Sequence, residues 1–274
     1  MATIPSALAG WPEIVERASG RELIAFLDFD GTLSPLVDEP DDAALADGMD
    51  ESLALLASRC TVAVVSGRGA DDVAARLGRS DVWIAGSHGF EIVDPSGARH
   101  DHPDAGPAAA ALDSAARSLS AELADVEGVR VERKHLGLTV HDRMVADAQV
   151  ARVRAAALAE VARHPELRAT HGKRVTELRP DVDWDKGAAV QWLLARLVDG
   201  DRPATPVYVG DDTTDEDAFV ALGAEGVSIV VVAGGAPDRP SVAEWSVADP
   251  AEVRVLLMRL ADLATPQERG AHGR

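Results

Sequence analysis

The feature that most constrains this chain is a repeated pattern: a short run of apolar residues closes on a polar, glycine-containing loop, and a helix-period segment follows. Residues 23–30 (LIAFLDFD) open the pattern and end in carboxylates followed by Gly31. An amphipathic segment at 46–58, an apolar run at 61–65, the turn Ser66-Gly67-Arg68 and a second helical segment to 77 come next. The run 82–85 ends in Gly86-Ser87-His88-Gly89. Runs this apolar suit strands buried on both faces, and strand–helix alternation predicts an α/β fold with a doubly wound, Rossmann-like parallel-sheet core. Ligands of such sheets bind outside the carboxyl ends of the strands.

The rhythm breaks near residue 101, where Pro103, Gly106 and Pro107 mark a boundary. A helix over 108–123, strands over 129–134 and 138–141, a helix over 146–162, and strands near 167–170 and 174–178 predict a small α+β domain. The parallel alternation then resumes with a helix over 186–197, a strand over 206–209, a helix over 214–222 and a strand over 227–232. The middle segment therefore reads as an inserted domain: residues 1–104 form the first part of the core, 105–179 the insertion and 180–274 the second part. The tail from Thr265 lacks apolar periodicity and is expected to be frayed. No internal repeat, P-loop, paired-cysteine or zinc-helix motif is found.

Asp28 and Asp30 sit two residues apart at a strand end, where one carboxylate can attack phosphorus while the other handles protons. A carboxylate nucleophile is already ionised at neutral pH and needs charge neutralisation rather than a base. Gly210-Asp211-Asp212 ends another apolar run with two more carboxylates, and Asp215, Glu216 and Asp217 extend the acidic cluster. An isolated Asp-Asp pair would serve as a helix cap, but capping does not call for acidic clusters at two separate strand ends. Oxygen ligands of this kind suit Mg²⁺. Ser66-Gly67-Arg68 offers a hydroxyl and backbone N–H groups ahead of a helix, which favours an anion. Lys186 begins a helix, where a cation is poorly placed for helix stability; bridging a phosphate and the nucleophile gives it a reason to be there.

The formal net charge of −19 argues against nucleic-acid or anionic-membrane surfaces, so a phosphorylated substrate has to be drawn in by a local site. The single cysteine, Cys60, cannot form an internal disulfide and reads as a buried residue. The N-terminus lacks a secretory pattern, and no apolar run approaches the roughly 20 residues of a bilayer span. A cytoplasmic protein with neither nucleic-acid nor membrane partners is the expectation.

In order, these four signals resemble the haloacid dehalogenase-like (HAD) phosphatase superfamily: Asp28 with Asp30, Ser66, Lys186, and Asp211 with Asp212. The resemblance implies the HAD fold, with Asp28 as nucleophile and Asp30 protonating the leaving oxygen and later activating water. It implies Mg²⁺ held by Asp28, Asp211 and the backbone carbonyl of Asp30, with Asp212 or Asp215 beside that shell. Ser34-Pro35-Leu36, Gly86-Ser87-His88-Gly89 with Glu91, Glu-Leu-Arg-Pro at 177–180 and Gly-Asp-Asp-Thr-Thr-Asp-Glu-Asp at 210–217 are similar to trehalose-6-phosphate phosphatases. In that family the insertion is a cap that closes over the disaccharide. Its sugar-contacting positions correspond to Glu132, Arg143, Lys173 and Glu177, with Ser66, Gly67, Arg68 and His88 also assigned to substrate. One departure stands out, since Asp142 occupies a position where the family usually has tyrosine. Facing outward it changes nothing; lining the pocket it puts substrate identity in question.

The resemblance implies Mg²⁺-dependent hydrolysis of trehalose 6-phosphate through an aspartyl phosphate. Glucosylglycerol phosphate, mannosylglycerate phosphate, sucrose phosphate and pseudo-disaccharide phosphates such as validoxylamine phosphate are the alternative substrates. A phosphomutase and a non-catalytic sugar-phosphate sensor rank below them. The expected partner is a small sugar phosphate, the expected state a monomer, and a trehalose-phosphate synthase is the protein partner brought into view.

Overall fold

A computed structural model describes residues 4–37, 39–102, 106–172, 174–198, 202–232 and 240–264. The chain divides into two units, residues 1–99 with 184–274 and residues 100–183.

The first unit runs α1 (Trp11–Ala18), β1 (Glu22–Leu27), α2 (Met49–Ala57), β2 (Thr61–Val65), α3 (Ala70–Leu77), β3 (Trp83–Gly86), β4 (Glu91–Val93) and β5 (Arg99–Asp101), where the chain leaves for the second unit. The second unit holds α4 (Gly106–Glu122), β6 (Arg130–Lys134), β7 (Gly137–His141), α5 (Asp147–Arg163), β8 (Leu167–Gly172) and β9 (Val175–Pro180). The first then resumes with α6 (Lys186–Leu197), β10 (Ala204–Gly210), α7 (Asp215–Leu222), β11 (Val227–Val231), β12 (Trp245–Val247) and α8 (Pro250–Leu263).

The larger sheet has the order β12-β11-β10-β1-β2-β3-β4-β5, parallel from β12 to β3, with β4 antiparallel to β3. Alternate residues of the central strands feed two separate cores. Leu23, Ala25 and Leu27 join Leu53, Leu256 and Leu260 on one face, while Ile24, Phe26 and Tyr208 join Val190, Leu193 and Phe219 on the other. Burial on both faces is why these strands read as unbroken apolar runs. From β1 the chain winds outward to β2 and β3, and the later segment fills the opposite side with β10, β11 and β12. The carboxyl edge between β1 and β10 is therefore the topological switch point, where an open α/β sheet leaves a crevice.

The smaller sheet is antiparallel throughout, in the order β6-β7-β9-β8. Leu138, Val140 and Leu178 pack with Leu112, Leu119 and Val153 of α4 and α5 in a third core. Glu132, Thr139 and Glu177 alternate with these residues along their strands and so lie on the opposite face.

The sequence pattern does not anticipate α1, β4, β5, β12 or α8. The three-residue strands are too short to show a period. For α8 the signals are present: Val253, Leu256, Leu257 and Leu260 are buried at helical spacing, and the Asp249 side chain accepts from the Glu252 N–H at 2.9 Å. The run 23–30 is strand only to Leu27, although the Asp28 N–H still donates to the Val209 carbonyl at 2.9 Å. The N-terminal residues also have a structural task. Pro5 and Ala7 exchange backbone bonds of 2.8 Å with Ser246, flanking β12. No described helix is long and apolar enough to cross a membrane.

Cys60 is buried just ahead of β2, and burial, reinforced by Glu22, pushes its thiol up from 9 to about 12. Between those values the unfolded chain ionises while the native thiol keeps its proton, so the unfolded state binds fewer protons and stability falls as pH rises. The thiol contribution is intact below pH 9 and is lost progressively toward 12. At pH 8.5, iodoacetamide labelling of native protein should run on the order of a hundredfold slower than in urea, because alkylation has to wait for opening.

Candidate active site

Three loops leave the adjacent carboxyl ends of β10, β1 and β2. After β1 the chain turns sharply: the Leu33 and Ser34 N–H groups both donate to the Phe29 carbonyl, and Gly31 takes φ +77°. A side chain at Gly31 would put its Cβ 2.2 Å from Oδ2 of Asp211, so the glycine is what lets the β1 loop close onto the β10 loop.

At the centre lies Lys186, only 2% exposed, whose Nζ donates to Oδ1 of Asp28 and to Oδ1 of Asp215, each at 2.8 Å. Asp185 caps α6 by accepting from the Ala188 N–H at 2.8 Å, and this fixes the helix start that aims Lys186 inward. Burial works against the ammonium, but Asp28 and Asp215 outweigh it and hold the lysine protonated far above its ordinary range. Asp28 is pushed up by burial, drawn back by Lys186, and pushed up again by Asp215 and Asp211.

Asp215 is fully buried. Its Oδ1 also accepts from the Tyr208 hydroxyl at 2.7 Å and its Oδ2 from the Asp212 N–H at 3.0 Å. Asp212 turns away to cap its own loop, accepting from the Thr214 N–H at 2.8 Å and hydroxyl at 2.7 Å. It lies 3.9 Å from Lys186 Nζ, and although burial opposes this, Lys186 and Thr214 hold its carboxyl below the usual range. Asp211 behaves oppositely, pushed up to about 7 by burial and by Asp215 and Asp212.

Asp28, Asp211 and Asp215 can each bring a carboxylate oxygen within 4.8 Å of the others. Three carboxylates around one ammonium leave this cluster short of positive charge, and a buried excess of negative charge is costly unless a cation balances it. The donors are hard oxygens, the set that suits Mg²⁺. Asp215 already takes three donors, which leaves Asp28 and Asp211 as the carboxylates best able to hold a metal.

The β2 loop is held by its neighbour. Ser66 is buried, its Oγ accepts from the Arg68 N–H at 3.1 Å, and its carbonyl accepts from the His88 N–H at 2.8 Å. Ser87 and His88 adopt φ +51° and +57°, a conformation rare outside glycine. Glu91 supports them: it is buried, accepts from the Ser87 hydroxyl at 2.6 Å, and takes the Ala70 N–H at the start of α3. The His88 ring lies over Gly67, where a Cβ would come within 2.9 Å of it. Arg68 makes a two-point pair with Asp30, at 2.7 and 2.8 Å, and a third bond to Asp72 at 3.0 Å. The guanidinium expected on a phosphate is thus engaged by carboxylates here.

In the second unit, strand register sets Glu132 opposite Thr139, Thr139 opposite Glu177 and Glu177 opposite Thr170. These four side chains form one row, stepping about 4.8 Å per strand. Glu132 also pairs with Arg130 at 2.7 Å and with His141 at 2.8 Å. Arg143 is exposed in the turn after β7, and Lys173 lies outside the described residues. Asp142 is turned inward: it is fully buried, and its Oδ2 accepts from Arg154 of α5 at 2.8 Å.

Tyr208 and Asp142 are the contacts that sequence reasoning did not supply. Tyr208 reads as one more apolar residue of β10, and only its being the sole tyrosine hints at a task for the hydroxyl.

The family model of trehalose-phosphatase matches residues 26–251. A trehalose-phosphate phosphatase of Mycobacterium avium (strain 104) is 44% identical over 266 residues, covering 96% of this chain and 68% of that protein. The chain spans about two thirds of the length of the curated trehalose-phosphate phosphatases it matches. Among solved structures, a trehalose-6-phosphate phosphatase related protein superposes with a TM-score of 0.72 at 24% identity, over 88% of this chain and 97% of that one. The C-terminal domain of the C. albicans trehalose-6-phosphate phosphatase gives 0.71 at 22% identity, over 95% and 98%. At such identities the two structures speak for the fold alone.

If the acidic cluster holds a divalent cation, Mg²⁺ raises the melting temperature of the wild type and leaves that of Asp211→Asn unchanged. At a hundred times the dissociation constant the gain should be about 2.7 kcal/mol. Equal shifts in both proteins would place the metal elsewhere.

Proposed function

The chain belongs to the trehalose-phosphatase family, and we propose that it hydrolyses trehalose 6-phosphate to trehalose and inorganic phosphate, with Mg²⁺ bound, through phosphoryl transfer to Asp28. The observation that carries this reading is the buried Lys186–Asp28 pair of 2.8 Å at the switch point of a parallel sheet, with Asp211 beside it.

A carboxylate oxygen of Asp28 attacks phosphorus, the bond from phosphorus to the sugar oxygen breaks, and that oxygen leaves with the electron pair and takes a proton from Asp30, a role that requires Asp30 to be protonated and released from its two-point pair with Arg68. Water then attacks the phosphorus of the aspartyl phosphate and gives a proton to Asp30, and the bond to Asp28 breaks, restoring both groups. Lys186 sets the Asp28 carboxylate and leaves one of its three N–H donors for a phosphoryl oxygen. The Ser66 hydroxyl and the backbone ahead of α3 offer further donors to the phosphate. Mg²⁺ held by Asp28, Asp211 and the Asp30 carbonyl would supply Lewis-acid neutralisation of the phosphoryl oxygens.

Glu132, Glu177 and Thr170, half-buried in one row that Thr139 completes beneath the surface, support a polyhydroxylated substrate. Carboxylates and hydroxyls spaced along a sheet match sugar hydroxyls, each of which both donates and accepts. Asp142 does not weigh against trehalose 6-phosphate, since it is fully buried with its Oδ2 on Arg154.

Phosphate release over a panel of sugar phosphates tests the reading. Trehalose 6-phosphate should be preferred, EDTA should stop turnover, and Asp28→Asn should lower kcat by roughly a thousandfold or more. Preference for another glycoside phosphate keeps the chemistry and moves the substrate, whereas no release from folded protein overturns the reading. Glu177→Ala should raise KM for the disaccharide phosphate by about tenfold. Turnover of a small aryl phosphate, which lacks the sugar, should be left unchanged.

A further inference from the structure

We propose that Tyr208 is a positioning residue for Lys186, acting through Asp215; the inference rests on the phosphatase reading above and deepens it. Tyr208 sits on β10, two residues before Gly210, with its ring buried against Phe219 edge-on at 5.6 Å. Its hydroxyl reaches the same Asp215 oxygen that Lys186 uses, so a chain of bonds runs from the Tyr208 hydroxyl to Asp215 Oδ1 at 2.7 Å, from Lys186 Nζ to that oxygen at 2.8 Å, and from Nζ to Asp28 at 2.8 Å.

The Asp215 carboxylate is gripped on every side. Its second oxygen takes the Asp212 N–H, and a Cβ at Gly210 would lie 2.3 Å from its carboxyl carbon. Lys186 is therefore shared evenly between a carboxylate that has other donors and Asp28. Removing the Tyr208 hydroxyl leaves Asp215 with one donor fewer in a buried setting, where each lost bond counts heavily, so Asp215 draws harder on the ammonium. The lysine then moves off Asp28 and off the phosphoryl group that Asp28 attacks. The third carboxylate of the cluster thus serves the lysine rather than the metal.

Tyr208→Phe keeps the ring and removes only the hydroxyl. Its kcat should fall about tenfold, the scale of a buried bond to a charged group, with KM and the Mg²⁺ half-saturation within about twofold of wild type. Phe219→Leu, which disturbs the same packing without touching the hydroxyl, should lower Tm and keep kcat. Wild-type kcat in folded Tyr208→Phe overturns the proposal, and so does a rise in Mg²⁺ half-saturation that saturating metal cures. The NMR signal of the Lys186 ammonium decides the matter apart from catalysis. It should shift in Tyr208→Phe and hold in Phe219→Leu, and an unshifted signal in Tyr208→Phe overturns the proposal even if the wild type releases no phosphate.

Discussion

Much of this structure depends on one ammonium group. Lys186 is almost wholly removed from water, and a buried charge is tolerable only with partners in good geometry. Those partners come from the end of β1 and the first turn of α7, while the lysine comes from the start of α6, so three elements must meet within hydrogen-bonding distance. The sheet order satisfies that condition because β1 and β10 are parallel neighbours whose carboxyl ends coincide, and α7 begins directly after the loop that follows β10. The apolar cores on both faces supply the favourable free energy, and the register they set brings the charged groups together.

Close approach is secured by the absence of side chains. Gly31 lies against Asp211, Gly210 against Asp215, and Gly187 near the Asp217 carbonyl, where a Cβ would come within 2.4 Å. Each of these glycines faces the acidic stretch 211–217, the loop after β10 and the first turn of α7. Their conformational cost is offset by bringing carboxylates near enough to share a cation. Similar economy governs the β2 loop, where Glu91 spans the αL turn at Ser87 and the start of α3, a helix whose own cap residue, Gly69, offers no side chain.

The inserted unit solves a separate packing problem. Its antiparallel sheet buries one face under α4 and α5 and sets Glu132, Thr139, Glu177 and Thr170 in a row on the other. The inward Asp142–Arg154 pair joins the end of β7 to α5, so the unusual aspartate belongs to the interior of its own unit.

The primary sequence determined the class of fold and most of the candidate site. Apolar runs ending in acidic or glycine loops can hardly be anything but buried parallel strands, and the four chemical signals lie at their ends, where local spacing alone makes them visible. A lysine at a helix start stood out by being wrong for the helix, and the structure pairs it with Asp28 and Asp215. Tertiary structure decided which side chains share those loops' charges. Lys186 and Asp28 are 158 residues apart, and Arg68 finds Asp30 across 38. Tyr208 looked like core because its ring is core, and whether Asp142 faces outward or lines the pocket was left open by the sequence, while the structure buries it against Arg154. Such partnerships follow from strand order and register, which no local pattern encodes, since hydrogen bonds are set by proximity in space and a sequence carries only proximity along the chain.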